Sequence, residues 1–178
     1  GNWDVLNVTD MRSMFSGSTN FNQALNNWDV SKVTRMYKMF YNTNNFNQAL
    51  DNWNVSNITN MNRMFGYAWR FNQALNNWNV SNVTNMSQMF QEAKAFNQAL
   101  NNWNVSKVTD MYGMFENTWA FKTKFNNGNS LSEDTSDLKK WLKENRDMML
   151  AIDIKEREKD NLDSFYNNLE SLYNNLDK

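Results

Sequence analysis

The sequence predicts an α/β solenoid: thin layers, each with one short strand and one short helix, stacked in series and closed by an all-helical C-terminal cap. Three observations predict it. A tryptophan returns every 25 residues, at Trp3, Trp28, Trp53, Trp78 and Trp103. A whole unit returns with it, F-N-Q-A-L-x-N-W-x-V-S-x-V/I-T-x-M-x-x-M-F, over residues 21–40, 46–65, 71–90 and 96–115. Fixed periods of about 20–50 residues mark stacked repeats, whose units bury their open faces against each other. Beyond residue 128 the pattern changes to the three- and four-residue apolar steps of amphipathic helices.

One unit, residues 21–45, justifies the elements in order. Trp28 and Val30 are two apart and share a face in extended chain, while Asn27, Asp29 and Ser31 take the other. This spacing predicts a short strand with one buried and one wet side. Val33, Met36, Met39 and Phe40 then fall at helical spacing, and Thr34 stands at an N-cap position, so a helix of one to two turns follows. An Asn-rich return closes the unit. Proline is absent and glycine numbers only 5, so the turns rest on Asn, Asp and Ser. Stacked copies place Trp3, Trp28, Trp53, Trp78 and Trp103 in one internal column and Phe21, Phe46, Phe71, Phe96 and Phe121 in another. Asn22, Asn47, Asn72 and Asn97, each followed by Gln, are expected to form side-chain ladders that satisfy buried turn backbone.

Charge and composition exclude several functions. The formal net charge is −1, with no global basic field for nucleic acid or anionic membrane. Residues 1–128 carry 10 basic and 7 acidic side chains, residues 129–178 carry 8 and 12, and this shift marks a modular boundary. Cysteine and histidine are both absent, which removes disulfides, thiolate sites, nucleophile–histidine pairs and the commonest metal ligand. No phosphate-binding glycine loop, calcium loop or zinc spacing occurs. The expectation is a non-enzymatic chain with no cofactor and no metal. Lys32 and Lys107 share a repeat position, but Asn57 and Asn82 interrupt them, so no basic stripe for nucleic acid forms. No apolar run has the length of a membrane span.

The motif L-x-x-W-x-V-x-x-V-T-x-M-x-x-M-F resembles the BspA-type branch of bacterial leucine-rich repeats. It is more similar to the surface repeats of mycoplasma-type lipoproteins, a domain of unknown function that reads F-N-Q-x-L-x-x-W-x-V-S-N-V-T-x-M-x-x-M-F. Phe71 to Phe90 match that pattern nearly throughout, and the resemblance covers residues 1 to about 125. It implies a leucine-rich-repeat-like right-handed superhelix with short parallel strands and short helices. It also implies extracellular display on a bacterial cell surface by a membrane-anchored protein, and a role in adhesion or host contact. It carries no catalytic residues.

The repeats occupy residues 1–128 as five units and a degraded sixth, in which Gly128 and Ser130 stand where Trp and Val are due. Such a unit suits the end of a stack. Residues 129–178 form a helical cap or hairpin. Leu138, Trp141, Leu142, Met149 and Ile152 mark one helix, and Leu162, Phe165, Leu169, Leu172 and Leu176 mark a second stripe. The charged stretch 153–160 is either the loop between them or the solvated middle of one long helix. The stripe over 162–176 either covers the stack or joins copies into a homo-oligomer.

Positions that differ between units are candidates for a partner. One candidate face is the outward strand row Asp29, Asn54, Asn79 and Asn104, with Lys32 and Lys107 beside it. The other is the return around Trp69, Arg70 and Trp119, where aromatic and basic groups of the hot-spot type gather. The expected function is binding of a protein or host-surface ligand, without nucleic acid and without membrane insertion. The alternative is a structural spacer joined by its helical tail.

Overall fold

A computed structural model describes residues 3–100 and 102–121. The remainder of the sixth unit and the helices expected over 129–178 lie outside the described residues.

Successive units pair directly through backbone. Parallel bridges join Asp10 to Arg35, Arg35 to Asn60, Asn60 to Asn85 and Asn85 to Asp110. The amides of Met11, Ser13, Phe15 and Gly17 donate to the carbonyls of Arg35, Tyr37, Met39 and Tyr41 at 2.9, 3.1, 2.9 and 2.8 Å. The same row recurs from Met86, Gln88, Phe90 and Glu92 to Asp110, Tyr112, Met114 and Glu116. A second row runs the opposite way, from the amides of Thr34, Thr59, Thr84 and Thr109 to the carbonyl of the threonine one layer back. Each 25-residue unit is therefore one layer, hydrogen-bonded to the layers on either side.

The segment expected as a helix is a chain of tight turns. Met39, Tyr41 and Thr43 donate to the carbonyls three residues back, at Met36, Lys38 and Phe40. Lys38 and Asn42 both have φ of +56°. A helix over Met36–Phe40 would consume its own amides and carbonyls internally. Flattened turns leave alternate groups pointing along the stack, where the next layer meets them. The apolar spacing that imitates a helix comes from Met36, Met39 and Phe40 all facing the core, where each is 0% exposed.

The short strand expected at Trp28–Val30 also differs. No bridge falls there; the bridges sit at Arg35 and its equivalents. The alternation of faces holds, since Trp53 and Val55 are buried and Asn54 is exposed. A turn beginning at Asp29 bends the chain immediately after Val30, and the extended stretch is too short to ladder.

Left-handed backbone recurs twice in each layer. Ser13, Lys38, Arg63, Gln88 and Gly113 form one column with positive φ, and Gly17, Asn42, Tyr67, Glu92 and Asn117 form the other. A non-glycine residue there costs about 1–2 kcal/mol, offset by the interlayer ladder. At Gly17, with φ +75°, an added Cβ would meet nothing within 4 Å, so only backbone conformation is at stake. Gly17→Ala is expected to lower stability by about 1 kcal/mol, measured by chemical denaturation.

The core is a set of continuous columns. Phe40, Phe65 and Phe90 stack at 5.6 and 5.7 Å, and Phe46, Phe71 and Phe96 at 5.9 and 6.2 Å. Within a layer the two columns interlock at 4.0–4.1 Å, as in Phe40–Phe46 and Phe65–Phe71. The indoles of Trp53 and Trp78 stack at 6.5 Å. Their Nε1 groups, with that of Trp103, donate to the carbonyls of Leu25, Leu50 and Leu75 at 2.8–2.9 Å. The tryptophan column is thus core and interlayer tie together. Its first member departs from the expected column, for Trp3 is 59% exposed.

The Asn ladders form as the repeat suggests. Asn22, Asn47 and Asn72 each accept, on Oδ1, the backbone amide of the next layer's asparagine at 2.9–3.0 Å. Gln48, Gln73 and Gln98 donate to the same oxygens. These ladders lie at the surface or half-buried rather than in the interior.

Candidate functional site

Two surfaces carry the residues singled out from the sequence, and the structure uses them differently. Asp29, Asn54, Asn79 and Asn104 are all exposed and lie one per layer. Each Oδ1 accepts the amide two residues on, from Ser31, Ser56, Ser81 and Ser106 at 3.0–3.2 Å. These are side-chain-capped turns, which Asp and Asn favour because the short side chain reaches its own backbone. The hydroxyl and amide of Ser31 hold the Asp29 carboxyl below its ordinary range. The row therefore shapes the bend that follows each tryptophan.

The neighbouring position is also spent on the stack. Lys32 Nζ donates to Asn7 Oδ1 at 2.9 Å, and Lys107 Nζ to Asn82 Oδ1 at 2.8 Å. Asn57 and Asn82 donate from Nδ2 to the carbonyls of Ser31 and Ser56 in the preceding layer. Lysine and asparagine reach the same neighbour by different means. Variation at this position is two solutions to one interlayer tie, and does not by itself mark a face left free for a partner.

The return presents a different picture. The amides of Arg70, Ala95 and Ala120 donate to the carbonyls of Asn44, Trp69 and Lys94, so Trp69, Lys94 and Trp119 stand in three consecutive layers. Trp69 is 45% and Trp119 58% exposed, while the same position in earlier layers holds Thr19 and Asn44. The Lys94 ammonium lies 5.0 Å over the Trp69 ring, a cation–π contact. It also lies 4.0 Å from Glu92 Oε2. Glu92 Oε1 in turn accepts from Asn117 Nδ2 at 2.6 Å. Arg70 is exposed beside Trp69, and the half-buried Ala95 and Ala120 follow the other two. The result is an indole–ammonium–indole stripe running along the stack.

Lys94 is the member that sequence reasoning missed. Its signal was available, since it occupies the column of Trp69 and Trp119, but a lone lysine between Ala93 and Ala95 does not stand out until layers are aligned. Among the described residues, no group of three or more His, Cys, Asp or Glu gathers to hold a metal ion. Among the same residues, no helix is long and apolar enough to cross a membrane.

Layers tied by backbone rows, stacked indoles and asparagine ladders define a stacked-repeat protein. The family described as Mycoplasma protein of unknown function, DUF285, matches over residues 1–79 and again over 48–154. The chain belongs to that family. Neither a curated protein nor a solved structure matches the chain.

Proposed function

We propose that this chain is a non-enzymatic, surface-displayed repeat module that binds a protein or host-cell ligand through its return edge. In this reading the stack is a leucine-rich-repeat-like solenoid, held outside the cell by a membrane-anchored parent protein. The observation that carries the proposal is that Trp69 and Trp119 are 45% and 58% exposed, whereas the recurring Phe40, Phe65, Phe90, Trp53, Trp78 and Trp103 are buried. A tryptophan offers about 150–250 Å², so covering the open halves of two would remove roughly 200 Å² from water. At about 25 cal/mol per Å² that gives on the order of 5 kcal/mol, an upper value before ordering costs. Arg70 and Lys94 add cationic groups to the same stripe, a composition typical of interaction hot spots. The strand row supports this role less, because its oxygens already serve the turns.

Binding of the purified chain to fixed epithelial cells, read by flow cytometry, tests the reading. The double substitution Trp69→Ala with Trp119→Ala is expected to abolish it. The fourfold alanine substitution of Asp29, Asn54, Asn79 and Asn104 is expected to retain it once the fold is verified. Equal retention by both variants removes the return edge as the site. No binding by the parent chain favours the spacer reading, in which the polar columns serve only to set length.

A further inference from the structure

We propose that two copies of this chain pair side by side and antiparallel, through the face formed by the tight-turn segments 35–42, 60–67, 85–92 and 110–117. The inference stands apart from the return-edge reading. The backbone of these segments ties one layer to the next, so side chains make the face. All four tyrosines among the described residues, Tyr37, Tyr41, Tyr67 and Tyr112, belong to it. With the matching segment of the first layer, 10–17, it also holds three of the four described arginines, Arg12, Arg35 and Arg63. Tyrosine and arginine are the residue types enriched where proteins meet.

The aromatic groups are held in place. Tyr41 and Tyr67 meet edge to face at 5.5 Å, and the Lys38 ammonium lies 5.8 Å over the Tyr41 ring. A Cβ at Gly66 would meet that ring at 3.1 Å, so the missing side chain lets Tyr41 lie against its neighbouring layer. The Arg12 guanidinium donates to the Tyr37 hydroxyl at 3.3 Å. Side chains ordered in advance lose less freedom when a partner docks.

The charges specify the occupant. In the first layer Arg12 pairs with Asp10 at 2.6 Å. The second segment carries Arg35 and Lys38 and the third Arg63, with no acid in either. The fourth carries Glu92 and the fifth Asp110 and Glu116, with no base in either. Asn85 and Gln91 donate to Asp110 and Glu116 at 2.9 and 2.7 Å and orient both carboxylates. Charge therefore runs from two cations through one cation and one anion to two anions. Reversed, that order is its own complement. A two-fold axis between the third and fourth layers sets Arg35 and Lys38 of one copy against Asp110 and Glu116 of the other, and Arg63 against Glu92, twice over. Both copies share one layer spacing, about 4.8 Å, so every facing pair stays in step. A parallel pair would oppose like charges along the whole face. Within one copy Asp10 lies 3.7 Å from Arg35 and Lys94 lies 4.0 Å from Glu92. Lys38 facing Glu116 is thus the strongest contact of the pairing.

Sedimentation equilibrium of the full chain tests this. The parent is expected to show a monomer–dimer equilibrium whose dissociation constant rises about tenfold or more between about 0.05 and about 0.5 M salt. One variant carries Glu92→Lys and Glu116→Lys; the other carries Arg35→Glu, Lys38→Glu and Arg63→Glu. Each alone is expected to be monomeric while melting cooperatively. Mixed in equal amounts, they are expected to recover a dimer, a result that misfolded chains cannot give. Should either fail to melt cooperatively, the single reversals Lys38→Glu and Glu116→Lys take their places in the same mixing test. A parent that stays monomeric at all concentrations overturns the proposal. So does a dimer that survives both reversals, which places the pairing on another surface. Two folded variants that do not pair with each other overturn it as well.

Discussion

Phe65→Ala is expected to lower the stability of the stack by about 3–5 kcal/mol, among the largest effects of any single truncation. Phe65 is 0% exposed, stacks on Phe40 at 5.6 Å, Phe90 at 5.7 Å and Phe71 at 4.0 Å, and meets the Trp78 ring at a tilt at 6.2 Å. The layers above and below are tied to it by backbone rows, so they cannot collapse into the space left behind. The cost therefore includes a cavity as well as lost transfer energy. In a chain whose whole stability is of the usual order of 5–15 kcal/mol, this single change is expected to shift the denaturation midpoint strongly.

The second large effect is a contrast between two copies of one residue. Trp78→Ala is expected to cost about 3–5 kcal/mol, because the indole is 2% exposed, stacks on Trp53 and donates to the Leu50 carbonyl at 2.9 Å. Trp3→Ala, at the same repeat position, is expected to cost under about 1 kcal/mol, since that indole is 59% exposed. Paired denaturation curves check both. Equal costs would mean that position in the repeat, and not enclosure by neighbours, governs each indole.

The period, the layer and the columns were legible in the sequence because stacking demands the same residue at the same place in every copy. Trp28, Phe46 and Asn47 announce their columns by recurrence alone. The local conformation was not legible. Met36, Met39 and Phe40 have helical spacing, yet the same apolar face arises from turns with Lys38 and Asn42 in the left-handed region. Side-chain spacing reports which groups face inward; it does not report where the backbone amides point. Nor did the sequence reveal that Asp29, Asn54, Asn79 and Asn104 cap turns, since Asx oxygens look equally available for a ligand. Trp69 and Trp119 were visible as anomalies, but Lys94 between them needed the alignment of layers.

The central claim is that layers are held by contacts to the same position in the next copy, so that whole units can be removed while fractions cannot. Its most direct measurement is the cooperative unfolding of two internal deletions compared with the parent. Removal of residues 51–75, one complete unit, joins Leu50 to Asn76 in register and rebuilds every column. That variant is expected to unfold cooperatively, with a modest loss of stability. Removal of residues 51–62 shifts the following layers out of register and is expected to abolish the cooperative transition. Two deletions that unfold alike would contradict the account.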